Sequence, residues 1–258
     1  MHPAFSVIFL TTLIGAGQGL FLALYTEQVY STFNVVTYDV DGQFHGLGSF
    51  IALALTLGGL LASFFHLGRP ARAWRSWMMW RTSWLSREVI MLPAFMLFLF
   101  VYGVAHYFGW SPVLFTVGTV PVTFTLFIGL ITTGLAFLLY ICTGMIYATL
   151  KFLQEWHSPL TVINYTLLGM ASGFSLAAAF SGFYAAELVV FFAGWAIILT
   201  LAGLLTRIAS LMRNSKLKPK SDVQSAIGMR HPNVVQKDQG FQAGSFNTRE
   251  FFHHAKPA

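Results

Sequence analysis

VTFTLFIGLITTGLAFLLYICTGMIYAT, residues 122–149, runs for 28 positions without a charged side chain. At 1.5 Å per residue, a helix of that length is long enough to cross the roughly 30 Å hydrocarbon layer of a bilayer. The stretch shows none of the alternation of a β-barrel strand. A helix is the only other backbone that satisfies its own hydrogen bonds in lipid. Apolar runs of spanning length recur at about 5–25, 46–66, 88–108, 160–180 and 186–211. The weaker stretch Val113–Val120, followed by Pro121, reads as a lead-in to the fourth span. The expected fold is therefore all-α: a polytopic transmembrane bundle of six spans over residues 1–212, with a polar basic tail over 213–258. Gly15, Gly17 and Gly19 in the first span, and Gly46, Gly48, Gly58 and Gly59 in the second, permit close helix contact.

Composition agrees. Of 258 residues, 56% are hydrophobic and 9% charged, with a mean hydropathy of +0.66. Soluble domains carry about a quarter charged residues, so a soluble enzyme is excluded. The single cysteine, Cys142, rules out an intrachain disulfide and any Cys-ligated iron–sulfur cluster within this chain. No charged segment and cleavage site precede the first apolar run, so Met1 onward is expected to be mature protein. No phosphate-cradling loop and no Cys/His metal pattern are present in the sequence.

The basic residues are distributed very unevenly. Arg69, Arg72, Arg75, Arg81 and Arg87 fall between spans two and three, Lys151 between four and five, and nine more from Arg207 onward. The loops at 26–45, 109–121 and 181–185 contain none, whereas the first carries Glu27, Asp39 and Asp41. All fifteen Lys and Arg residues thus share one side of a six-span chain. The positive-inside rule places that side, and both termini, in the cytoplasm. This asymmetry also accounts for the isoelectric point of 9.6, so no nucleic-acid partner is expected. The last 46 residues carry eight basic and three acidic groups. That composition suits a disordered tail near anionic headgroups. Ile227, Phe241, Phe246, Phe251 and Phe252 suit instead an extended segment lying on a partner protein.

The densest functional stretch runs from His66-Leu67-Gly68-Arg69-Pro70 to Trp84-Leu85-Ser86-Arg87-Glu88. Pro70 prevents the second span from continuing, and Gly68 suits a left-handed cap before it. Trp74, Trp77, Trp80 and Trp84 recur at three- or four-residue intervals, which lines indoles along one side of an interfacial helix. His66 and Glu88 sit at the two helix ends flanking this loop. A quinone needs a hydrogen-bond partner for its carbonyls and a route for the two protons its reduction consumes. An imidazole meets the first need, and a carboxylate at the aqueous boundary the second. The plainer alternative makes His66 a helix C-terminal residue and Glu88 a first-turn acid after a Ser86 cap. Two bis-His haems could be written from His45 with His106 and His66 with His157, although each lies at a span's extreme end. A transporter would put polar features at mid-membrane, where only Gln18 stands out.

Three stretches carry a resemblance: His2-Pro3-Ala4-Phe5-Ser6-Val7-Ile8-Phe9, the His66–Glu88 block, and Met145-Ile146-Tyr147-Ala148. They resemble the DmsC-like family, the membrane anchors of DMSO-reductase-type molybdoenzymes, over essentially the whole chain. The segments Gln224–Pro232 and Gly244–Phe252 are most similar to the branch serving cytoplasmic sulfite dehydrogenases. The resemblance implies a haem-free subunit that holds an iron–sulfur subunit and a molybdopterin catalytic subunit at the bacterial inner membrane. Molybdopterin and clusters would reside only in those partners. The anchor would exchange electrons between the nearest cluster and a quinone pool, ubiquinone or menaquinone. The family's quinone-site histidine and glutamate map onto His66 and Glu88, with Arg69 and Arg81 supporting the head group or the partner's surface. Because the basic loop is expected to face the cytoplasm, the sulfite-oxidising branch is favoured over DMSO reduction. The family usually has eight spans, so two more helices are expected after Glu250-Phe251-Phe252.

Overall fold

A computed structural model describes residues 5–36, 40, 42–65, 67, 69–151, 153–218, 228 and 231. Its helices are α1 (Phe5–Thr32), α2 (Gly42–Phe64), α3 (Trp84–Tyr107), α4 (Phe124–Ala148), α5 (Pro159–Tyr184) and α6 (Val189–Asn214). All six are long and apolar enough to cross a membrane. Leu97, Leu130, Val190, Ile197 and Leu205 are among many large apolar side chains exposed on the outside of the bundle. An uncovered apolar surface of this extent fits lipid and not water, and the chain is a multi-pass membrane protein.

The observed helices extend past the expected spans at several ends. α1 runs to Thr32 instead of about 25, and α2 starts at Gly42 instead of 46. The α3 cap also differs from expectation: Ser83, not Ser86, caps the helix, its Oγ accepting from the Ser86 amide at 3.4 Å. Ser86 is thus inside the first turn, and Glu88 lies deeper in the helix than a Ser86 cap implies. Thr123 and Ser158 cap α4 and α5 in the same way. The Val113–Val120 stretch is not a helical lead-in. It forms an antiparallel hairpin, β1 (Val113–Val117) with β2 (Val120–Thr123), in which Val117 pairs with Val120. Gly118 takes φ +62° in the two-residue turn, a conformation glycine adopts without a Cβ penalty.

α1 is the spine of the bundle. It packs on α2, α4 and α5, while α3 bridges α2 and α4, and α6 lies along α5. Ile14, Leu20, Phe21, Ala23 and Leu24 are essentially inaccessible. Phe21 meets the rings of Phe95 and Tyr102 edge-on. With lipid on all sides, apolar burial drives helix association weakly, so close packing and hydrogen bonds between helices do more of the work. Four side chains tie α1 to its neighbours through backbone carbonyls. Gln18 Nε2 donates to Ala136 O at 2.8 Å and Tyr25 Oη to Leu126 O at 3.0 Å. From the other side, Tyr140 Oη donates to Gly15 O at 2.7 Å and Tyr165 Oη to Thr11 O at 3.1 Å. The mid-membrane Gln18 is thereby an interhelical tie, with its Oε1 unpartnered among the described residues.

Glycine permits the closest approach. A Cβ on Gly173 would stand 2.0 Å from the Gly19 carbonyl carbon and 2.1 Å from the Leu20 amide nitrogen. Neither neighbour is a flexible side-chain end, so the α1 and α5 backbones would have to part. Gly134 has nothing within 4 Å of its Cβ position. Gly173→Ala is expected to destabilise the bundle by about 1–3 kcal/mol through overpacking. Gly134→Ala should be neutral or slightly stabilising, because alanine is the better helix former. Thermal unfolding of the two variants in one mild detergent checks the contrast, and equal midpoints would contradict it.

Candidate functional site

The basic end of the bundle is shaped by the segment between α2 and α3. After Phe64 the chain passes Leu67 and Arg69 and enters a 3-10 helix over Pro70–Met79, with proline at its first position. Residues three apart eclipse one another in such a helix. Trp74 and Trp77 therefore share a face, with Trp80 following at the C-cap, and all three are at least half exposed. The expected row of indoles is present on this tighter helix, and Trp84 belongs to α3 instead. Arg75 lies over the Trp74 ring and Arg81 over Trp80, with guanidinium carbons 5.3 and 5.4 Å from the ring centroids. Arg87 stacks on Trp84 at 4.1 Å and donates to Trp80 O and Arg81 O, both at 2.9 Å, pinning the turn into α3. Arg69, Arg72, Arg75 and Arg81 are exposed, and among the described residues no carboxylate pairs with them.

Glu88 points the other way, into the protein. It is 8% exposed, although it lies close to the start of α3. Thr143 of α4 donates its hydroxyl to Glu88 Oε1. Tyr147 of α4 and Tyr165 of α5 are close enough to interact electrostatically with this carboxylate. A carboxyl group held among α3, α4 and α5, beneath a cationic surface, can accept or release a proton at the boundary of the membrane. His66 lies outside the described residues, as do Gly68 and nearly all of the 213–258 tail beyond position 218. Chain connectivity places His66 immediately after Phe65, which is fully at the surface at the end of α2. Of the four site residues expected from the sequence, Glu88 is thus a buried acid, and Arg69 and Arg81 are surface cations at the same end.

The opposite end contains a second polar cluster that the sequence pattern did not reveal. Glu27, 1% exposed, accepts from His45 Nε2 at 2.6 Å. The His45 and His106 rings stack at 4.7 Å, and Tyr102 sits 4.5 Å from His106. Tyr102 Oη donates to Gln28 Oε1 at 2.8 Å, Gln28 Nε2 donates to Thr125 Oγ1 at 2.9 Å, and Thr125 meets Ser111 at 2.8 Å. Axial histidines of a haem face the iron from opposite sides, whereas these two rings stack directly, one of them engaged by a carboxylate. His157, the other histidine considered at the basic end, bonds Ala148 O through Nδ1 at 2.6 Å in the α4–α5 turn. The signal for this second cluster was present in Glu27-Gln28 directly after an apolar run. Ending that run at position 25 turned it into a loop.

The chain is thus a six-helix membrane bundle with one cationic end and an acid buried beneath it, the frame expected of an anchor for another protein. Family comparison agrees: residues 1–230 match the model of the DMSO reductase anchor subunit (DmsC), and the chain belongs to that family. It is 59% identical over 254 residues to a subunit of the sulfite dehydrogenase of Allochromatium vinosum, covering 98% of this chain and 78% of that protein. No solved structure is significantly similar to the chain.

The Glu27–His45 cluster gives a clear stability test. Glu27→Ala would leave the buried His45 ring without its carboxylate partner, a loss of about 1–3 kcal/mol. Glu187, exposed ahead of α6, should tolerate the same substitution within about 0.5 kcal/mol. Parallel thermal melts in detergent check this, and equal stability of the two variants would show that the Glu27–His45 pair contributes nothing.

Proposed function

We propose that this chain is the quinone-reactive membrane anchor of a molybdopterin oxidoreductase complex that oxidises sulfite. The buried Glu88 carboxyl beneath an exposed arginine surface is the observation that carries this reading. The relative's identity as part of a sulfite dehydrogenase supports the substrate. In this reading the basic end faces the cytoplasm of a bacterial inner membrane. An iron–sulfur subunit and a molybdopterin catalytic subunit dock there, with Arg69 and Arg81 facing the partner or the quinone head group.

Sulfite and water give sulfate, two electrons and two protons at the catalytic partner. The partner's clusters would supply those electrons to a quinone at the α2–α3 end of the bundle. Quinone plus two electrons and two protons gives quinol, so this chain must supply the protons where the electrons arrive. His66 donates a hydrogen bond to one quinone carbonyl and passes a proton along it. Glu88, hydrogen-bonded by Thr143, refills that position with protons from the cytoplasmic surface. No side chain here is itself an electron carrier. The anchor's contribution is to bind, orient and protonate.

In the intact complex, His66→Ala and Glu88→Gln are each expected to lower quinone reduction by about 10²-fold or more. Sulfite oxidation with an artificial acceptor should be unchanged. Glutamine keeps the acceptor for Thr143 but cannot exchange a proton, which separates the chemical role of Glu88 from a structural one. Wild-type quinone kinetics in both assembled variants would remove this pair from the mechanism.

A further inference from the structure

Threonine inside a helix ordinarily donates its hydroxyl to the backbone carbonyl one turn back. Thr132 of α4 and Thr149 at its C-cap do so, to Ile128 O at 2.8 Å and to Met145 O at 2.7 Å. Thr143 of the same helix does not. It gives its single proton to Glu88 Oε1, on a residue 55 positions away in the chain. Among the described residues, Thr143 is the only side chain that hydrogen-bonds this carboxyl.

Packing holds that hydroxyl in place. Thr143 is 3% exposed, and its neighbour Gly144 lies where α4 presses on α5: a Cβ there would stand 2.9 Å from Val162 Cα. Contact with backbone leaves α4 little freedom to shift or turn at this level. The Tyr165 hydroxyl of α5, which also interacts with Thr143, donates its own proton to Thr11 O of α1 at 3.1 Å. The donor is therefore fixed by α4 and α5, and α5 in turn by α1. The acid meets it from α3, which packs on α4.

We propose that Thr143 is the positioning residue of the Glu88 site: its hydroxyl holds Oε1 and leaves Oε2 as the oxygen that takes up and releases the proton. This rests on the proton-exchange role given to Glu88 above. A hydroxyl donates equally well to a carboxylate oxygen and to the carbonyl oxygen of the neutral acid, so the Thr143 bond persists in both states. The oxygen that already accepts this bond is the poorer place for a proton, and the neutral acid carries its hydrogen on the other. Each exchange moves one proton on or off Oε2, with no bond made or broken at Thr143. Uptake and release then start from the same carboxyl orientation, with no rotation between them. A fixed orientation of this kind is what makes a proton-transferring group effective.

The test uses the intact complex, with quinone turnover and redox-induced infrared difference spectra taken on the same samples. Thr143→Val keeps the branched shape and removes the hydroxyl. It should lower kcat with quinone by about tenfold or more, the effect of losing a hydrogen bond to a charged group. KM for quinone and turnover with an artificial acceptor should stay unchanged, because Thr143 touches neither. The Glu88 carboxyl band, identified by its loss in Glu88→Gln, should move to higher wavenumber, since a C=O freed of a hydrogen bond is stiffer. Thr143→Ser keeps the hydroxyl and should restore both the rate and the band. Thr143→Ala removes the same hydroxyl and serves if Thr143→Val fails to assemble. An unmoved Glu88 band, or unchanged quinone turnover, would overturn the positioning role while leaving the role of Glu88 itself standing. A parallel loss of artificial-acceptor turnover would likewise overturn it, by showing that Thr143 serves only packing. Wild-type quinone kinetics in Glu88→Gln would instead defeat the proton-exchange reading, and the positioning role with it.

Discussion

Everything in this bundle depends on how closely α1 can approach its neighbours. At Gly19 and Gly173 the α1 and α5 backbones are near enough that not even a methyl group fits between them. The carbonyl-directed bonds from Gln18, Tyr25, Tyr140 and Tyr165 hold that approach along the membrane depth. Lipid supplies little apolar driving force between helices, so such contacts set the packing. Their consequence reaches the basic end. α4 and α5 are positioned by α1, and it is α4 that brings Thr143 to Glu88.

The two ends of the bundle then differ in kind. At one end the arginines are exposed and, among the described residues, without a carboxylate partner, with a single acid withdrawn beneath them. At the other, Glu27 and His45 satisfy each other, and the His106 ring joins them to the Tyr102–Gln28–Thr125 chain of hydrogen bonds. Buried polar pairs of this sort hold helix ends in register. Exposed cations are available to a partner surface or to phosphate. In the proposed function, that contrast separates the end that fastens the bundle from the end that meets the partner and the quinone.

Much of this was legible in the sequence, and the rest was not for identifiable reasons. The six spans follow from the lack of charge over spanning lengths, and family membership agrees with the His66–Glu88 block and the flanking motifs. Helix ends were less legible. Glu27 and His45 look like loop residues until one sees that each offsets the cost of burying the other. The Ser83–Ser86 pair offers two plausible caps, and which is used depends on where the 3-10 helix hands over to α3. Val113–Val120 is apolar enough to suggest the start of a span, yet Gly118 and the pairing of Val117 with Val120 turn it back as a hairpin. Thr143 could not have been assigned to Glu88 from any local pattern, because 55 residues separate them and only the packing of α3 on α4 joins them. Gly58 and Gly59 look identical in sequence and meet different surroundings: a Cβ on Gly59 would strike Ile14, whereas one on Gly58 would meet only Leu13 at an ordinary distance.

The central claim is that the buried Glu88 carboxyl exchanges protons with a quinone bound at the basic end. Redox-induced infrared difference spectroscopy of the intact complex addresses it most directly, since a carboxyl group that changes protonation changes its C=O stretch. The expected result is a carboxyl band that appears in the difference spectrum when bound quinone is reduced and is lost in Glu88→Gln. A spectrum with the same carboxyl band in that variant would contradict it.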